Sequence, residues 1–199
     1  MNVDAQLDEL AALLARAGVS PPVAPPDVAA LDEVERVIAP LRLPASARRL
    51  WERVDVRSYA VETYPALTDP EFALQAWQSH QDAELVPARL FPLCYTSWTF
   101  VFVELDAPEA DDGGTLFEWM YGGADFQVAY DDLDDWLAVQ IGAIKAGEAE
   151  LAHGRLRLPI PEDRRLSDVG PDRLARRGSH PLYGMTTAIP EHDWPERWR

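Results

Sequence analysis

The sequence predicts an α+β domain, an antiparallel-dominated sheet of about four to six strands flanked by helices. Three observations carry this. Apolar residues recur at helical spacing through the first eighty residues and again from 131 to 146. Between them, from Leu90 to Tyr130, strand-like runs follow one another on short connections rich in Gly and Asp, as in an antiparallel meander. The chain has 199 residues, 47% of them hydrophobic, which suits one domain with appendages and a core that needs no staple.

The elements follow in order. Val3 to Ala17 is helical, with Val3, Leu7, Leu10 and Leu14 on one stripe and Gly18 placed to end it. Ser20 to Pro26 (SPPVAPP) reads as a stiff extended linker, so residues 1–19 form a separate helix, either docked on the domain or a partner-facing arm, and its apolar stripe favours docking. Asp27 is placed to cap a second helix reaching Ala39, with Val28, Leu31, Val34 and Ile38 inward, and Pro40 stops it. Pro44 suits the first turn of a third helix that buries Ala47, Leu50, Trp51 and Val54. Beside that face Arg48, Arg49, Arg53 and Arg57 make the one basic concentration of the first half.

Val56 to Thr63 alternates weakly, as a first, edge strand would. Thr68-Asp69-Pro70-Glu71 has the pattern of a capping box, with Thr68 as cap, and the helix behind it to His80 groups Phe72, Ala76, Trp77 and His80. Leu90 to Tyr95 is a strand. Trp98 to Leu105 (WTFVFVEL) is β-branched, aromatic and apolar on both faces until Glu104, which predicts a central strand covered on both sides. Ala107 to Gly114 (APEADDGG) is a loop. Thr115 to Tyr121 and then Phe126, Val128 and Tyr130 alternate about a turn at Gly122-Gly123-Ala124. Asp131 to Ala146 is a helix capped by Asp131, with Leu133, Trp136, Leu137, Ile141 and Ile144 on one face and Lys145 in the last turn. The α+β domain therefore spans 27–150. Residues 151–199 are an Arg- and Pro-rich extension with a further strand at Arg155 to Ile160 and a turn or two of helix at Asp172 to Arg177. Trp194 and Trp198 in a solvated tail would be unusual, so the extension is expected to pack on the domain.

The formal net charge of −16 and a pI of about 4.5 argue against binding nucleic acid or an anionic membrane and favour basic partners, while also serving solubility. Met1 to Leu10 has no basic or apolar region of a signal peptide, and no apolar run approaches the about 18 residues of a membrane span, so a cytoplasmic protein is expected. The single cysteine, Cys94, excludes an intramolecular disulfide and a cysteine-rich zinc site.

The motifs GxSxG, GxGxxG, HExxH and the phosphate-binding P-loop are absent. Cys94 and His80 would suit a thiol nucleophile and its base, yet a buried strand cysteine and a helix histidine account for both. Ser179-His180 and His192-Asp193 are neighbours in sequence only, which says nothing of a triad. Asp131, Asp132, Asp134 and Asp135 lack the Gly and distal Glu of a calcium loop, and carboxylates at a helix start explain them without a metal. Neither cofactor nor metal is expected, and the chain does not read as an enzyme.

The stretch from Leu90 to Ile144 holds 11 Asp and Glu and no Lys, Arg or His. Within it Glu109, Asp111, Asp112 and Glu118 have no local structural explanation, and Asp131, Asp132 and Asp135 lie next in line. These seven are the candidate partner-binding residues of an acidic docking surface for a basic protein. The competing expectation is a regulatory or structural scaffold, monomeric or homodimeric, whose acidity serves solubility alone.

Leu31 to Trp51 (LDEVERVIAPLRLPASARRLW), Leu90 to Leu105, and Val128 to Leu137, where a strand passes into Trp136-Leu137, together resemble the SMI1/KNR4 family, also called the SUKH superfamily. The likeness covers about half the chain. Where many members carry a Gly-containing segment after the LP helix, Asp55-Val56-Arg57 stands here, and Tyr95-Thr96-Ser97 replaces a Gly-rich turn before the central strand. The resemblance implies an α+β domain and a common role of its bacterial members, cytoplasmic immunity proteins that neutralise a cognate toxin, often a nuclease. Other members are regulatory interaction modules.

Overall fold

The computed structural model describes residues 3–19, 28–54, 56, 61–63, 65–96, 99–111, 113–120, 126–153 and 155–158. Over these the chain is α+β. Five helices run at α1 (Val3–Arg16), α2 (Val28–Ile38), α3 (Ala45–Arg53), α4 (Pro70–Asp82) and α5 (Leu133–Lys145). The main sheet is fully antiparallel, in the order β2 (Ala66–Leu67), β3 (Leu90–Tyr95), β4 (Thr99–Glu104), β5 (Leu116–Met120), β6 (Phe126–Tyr130). A small second sheet has the order β1 (Val61–Glu62), β8 (Arg155–Arg157), β7 (Glu150–Ala152), with β1 parallel to β8.

β4 is the central strand that its composition demands, and all six of its residues are buried. Its alternation separates two cores. Val101 and Val103 join Cys94, Leu116 and the buried stripes of α1, α2, α3 and α5. Phe100 and Phe102 turn the other way, onto Phe117 and Trp119 of β5 and Phe126 and Val128 of β6. One sheet face is thus mainly aliphatic and covered by helices, the other aromatic.

α1 docks as its stripe predicts. Val3, Leu7, Leu10 and Leu14 are buried, Gly18 takes a φ of 73° to end the helix, and Val19 follows into the core. Polar contacts guide the docking. Asp4 takes hydrogen bonds from Arg49 and Arg53, Asp8 from Arg53, and Lys145 of α5 pairs with Glu9. Arg48 pairs with Glu35, Asp32 and Glu52. The basic concentration on α3 is therefore spent inside the molecule, holding helices together; Arg57 lies outside the described residues.

Several local expectations need correction. The cap of α4 is Asp69, whose carboxylate accepts from Phe72 N at 2.8 Å, because Thr68 is tied to β3 through N–H and Oγ1 bonds to Leu93 O. On that helix Ala73 and His80 are buried while Phe72 is exposed. Asp132, not Asp131, caps α5. Pro44 is the residue before α3 rather than within its first turn. Val28 is exposed at the start of α2, and Asp27 falls outside the described residues. Of the expected strand over 56–63, the part described as strand is β1, which belongs to the small sheet, while 57–60 lie outside the described residues; the edge of the main sheet is β2. The expected helix at 172–177 and the packing of the extension beyond 158 also lie outside the described residues. No helix among those described is long and apolar enough to cross a membrane.

Candidate functional site

The β4–β5 connection, 105–115, is a tied loop. Asp106 and Arg42 exchange backbone hydrogen bonds, Arg42 N to Asp106 O at 3.1 Å and Asp106 N to Arg42 O at 2.9 Å. The Leu41-Arg42-Leu43-Pro44 bridge between α2 and α3 thereby adds a single rung at the end of the sheet. From there the Arg42 guanidinium reaches over the loop and donates from Nη2 to Asp111 Oδ1 at 3.1 Å, to Ala110 O at 3.1 Å and to Ala107 O at 3.4 Å. One planar cation with several donors can gather carbonyls and a carboxylate in this way.

The other limb is held by glycine. Gly113 N donates to Asp106 Oδ1 at 2.8 Å and Gly114 N to Glu104 O at 2.7 Å. A Cβ on Gly113 would stand 2.4 Å from Glu104 O and 2.6 Å from Leu105 C, both backbone, so the loop closes onto β4 only because no side chain is there. Gly114 takes a φ of 97°, open to glycine at no steric cost. Below the loop, buried Arg89 donates from Nε and Nη2 to Leu105 O, pinning the end of β4 to that of β3.

The antiparallel register pairs Leu116 with Tyr130, so the start of β5 and the end of β6 meet at one end of the sheet. The start of α5 follows at once. There Asp132 Oδ1 accepts from Asp135 N at 2.7 Å, and Asp131 N donates to Asp135 Oδ2 at 3.3 Å. The two carboxylates satisfy backbone donors reciprocally, as in a capping box. Gln6 of α1 donates to Asp134 O, and burial, with Asp132 close by, raises the Asp134 carboxyl above its ordinary pKa.

The seven predicted residues separate accordingly. Glu109 and Asp111 are exposed on the tied loop, Asp111 against Arg42; Asp112 lies outside the described residues. Asp131 is half-buried and Asp132 exposed, at the same end of the sheet. Asp135 is 4% exposed and turned to the helix start, so it is a structural carboxylate rather than part of a docking surface. Glu118 stands away from the others. It is half-buried in the middle of β5, opposite Val101 and Gln127, on the helix-covered face. Sequence reading missed Arg42, whose only signal was a lone Arg inside an LP bridge.

The thiol–imidazole pair is not assembled. Cys94 is fully buried on the aliphatic face, where burial pushes its thiol well above the ordinary value. His80 lies on the aromatic face, its ring edge-on to Phe100 at 4.8 Å and to Trp119 at 5.8 Å, and burial lowers its pKa. Among the described residues no group of three or more His, Cys, Asp or Glu is placed to hold a metal ion. No family model matches the chain, and no curated protein matches it.

Proposed function

We propose that this chain is a non-catalytic protein-binding module that offers an acidic end of its sheet to a basic protein. The observation that carries the reading is the tied loop: Arg42 holds its first limb, 106–111, and Gly113 its second, beside the acidic start of α5. Carboxylates held in place lose little freedom on binding, and complementary charge speeds encounter and makes it sensitive to salt. Glu109 and Asp132, both exposed, lead the surface, with Asp131 and Asp112 in support. Asp111 shares its charge with Arg42 and so positions the loop as much as it attracts a partner.

The partner that suits such a surface is a protein that must present Lys and Arg. A nuclease does so to bind phosphates, and the resemblance to SMI1/KNR4 immunity proteins points the same way: a cytoplasmic protein that neutralises a cognate toxin by filling its basic cleft. The test pairs the chain with toxin-like products of neighbouring genes in co-expression. Rescue of growth and a stable complex are expected, and Glu109→Lys with Asp132→Lys should weaken binding at least tenfold with the fold intact. Neither complex nor rescue would leave the scaffold reading in its place, and binding that survives both charge reversals would overturn the acidic end as the docking surface.

A further inference from the structure

We propose that the outer edge of β7 is a dimer interface, at which a second copy of the chain sets its own β7 antiparallel to the first about a twofold axis at Leu151. The interaction is independent of the function proposed above. Leu151 is 62% exposed, the most exposed large apolar side chain among the described residues. β7 pairs with β8 on one side, and among the described residues nothing pairs with the other.

Register fixes what that edge offers. Ala152 pairs with Arg155 across a two-residue connection, with His153 at a φ of 52°. In a hairpin closed in this way the flanking residues, Ala152 and Arg155, are joined by hydrogen bonds. The alternation of an antiparallel ladder then makes Leu151 with Leu156 a pair that exchanges none. The N–H and C=O of Leu151 therefore point away from β8, at the middle residue of three. An edge whose outward donor and acceptor sit on its central residue is complementary to itself. A twofold axis there lets the N–H of each Leu151 donate to the C=O of the other.

The side chains suit the same arrangement. Leu151 and Leu156 share one face of the small sheet, and Leu156 belongs to the main core. Pairing sets the two Leu151 side chains together, so that an apolar row runs across the joined sheet from one Leu156 to the other. On the opposite face Glu150 comes to stand against Ala152 of the second copy, so no like charges oppose each other directly. Arg155 and Arg157 of β8 lie on that face as well, giving four Arg to two Glu along the seam. This local balance counters the repulsion between two chains of net charge −16. β7 also follows the far end of α5, whose 13 residues carry the chain about 20 Å from its acidic start, so the seam leaves the acidic ends open.

A three-residue strand joins less than the about 1,200 Å² of a standard interface, so the dimer is weak and sedimentation equilibrium of the full chain is carried to about 1 mM. The mass should rise with concentration from monomer towards dimer. Leu151→Pro removes the outward N–H and leaves the β8 ladder in place, and it should weaken dimerisation at least tenfold. Leu151→Cys supplies a second measurement should the proline variant not fold. Residues that face each other in a hydrogen-bonded antiparallel pair have Cα atoms about 5.5 Å apart, within disulfide range. Mild oxidation should therefore link Leu151→Cys into a dimer at least tenfold faster than Glu109→Cys. Monomer mass throughout, a folded Leu151→Pro variant that dimerises as well as the native chain, or equal crosslinking at the two positions would each overturn the inference.

Discussion

Arg42 gathers three acceptors of one loop with a single side chain. Its removal should therefore act locally. An exposed ion pair contributes about 0–1 kcal/mol, so Arg42→Ala should lower global stability by no more than about 1 kcal/mol in urea titration. Amides of 107–111 should nevertheless exchange with solvent markedly faster, as hydrogen exchange will show. Gly113→Ala is the harsher change. Its methyl would press on the backbone of β4, which cannot move aside like a flexible side chain. Overpacking of this kind costs about 1–3 kcal/mol, and a lower urea midpoint with an unchanged slope is the expected result. These two residues also show the limit of pattern reading. A loop was legible from Pro, Asp and Gly; that a distant arginine ties it down was not, because the bond spans 69 positions in sequence.

His80 makes a second prediction of this kind. Its Nδ1 is buried without a hydrogen-bond partner among aromatic rings, and burial holds its pKa below the ordinary 6.5. The unfolded chain takes up the proton first. The contribution of neutral His80 is thus complete above pH 6.5 and is lost as the pH falls through the folded value. Stability should decline as the pH falls below 6.5, and His80→Leu should flatten that part of the profile in thermal melts.

Among the elements, α1 shows how an appendage becomes part of a core. Its leucine stripe was readable from spacing alone. Asp4, Asp8 and Glu9 on its flank gained meaning only when α3 and α5 brought Arg49, Arg53 and Lys145 against them. Leu10 is 1% exposed, so Leu10→Ala should cost about 2–5 kcal/mol by calorimetry. The ion pairs answer to pH. Hydrogen bonding from Arg49, then Arg53, holds the Asp4 carboxyl below its ordinary 3.8, so the pairing is complete above that value and fades as the pH falls below it. Fraying of α1 should therefore precede global acid unfolding, visible as early exchange of its amides. β4 was equally legible, since an apolar run on both faces needs cover on both sides. β2 was not, for two residues carry no period. Caps slipped by one residue where two candidates stood side by side; at α4 it was the bond of Thr68 to Leu93 O that left the cap to Asp69.

Taken together, the molecule sorts its charge. Arginine and lysine on α3 and α5 face inward neighbours, while carboxylates gather where β4, β5, β6 and α5 meet. Composition announced the net charge, and the meander announced the sheet. Which acids meet was decided by strand register: it joins Asp131 and Asp132 to the loop end and strands Glu118 in mid-sheet. Register arises from side-chain pairing across strands, so single-strand patterns do not contain it.

The depth of Cys94 has a practical corollary. The one thiol of the chain is sealed behind the helices, and its raised pKa keeps it protonated. Native protein should give no colour with a disulfide reagent, and one equivalent in denaturant. Any cysteine placed on the surface, as in Glu109→Cys, then becomes the sole address for a maleimide, so a dye or spin label can be set at the acidic end without first removing the native sulfur.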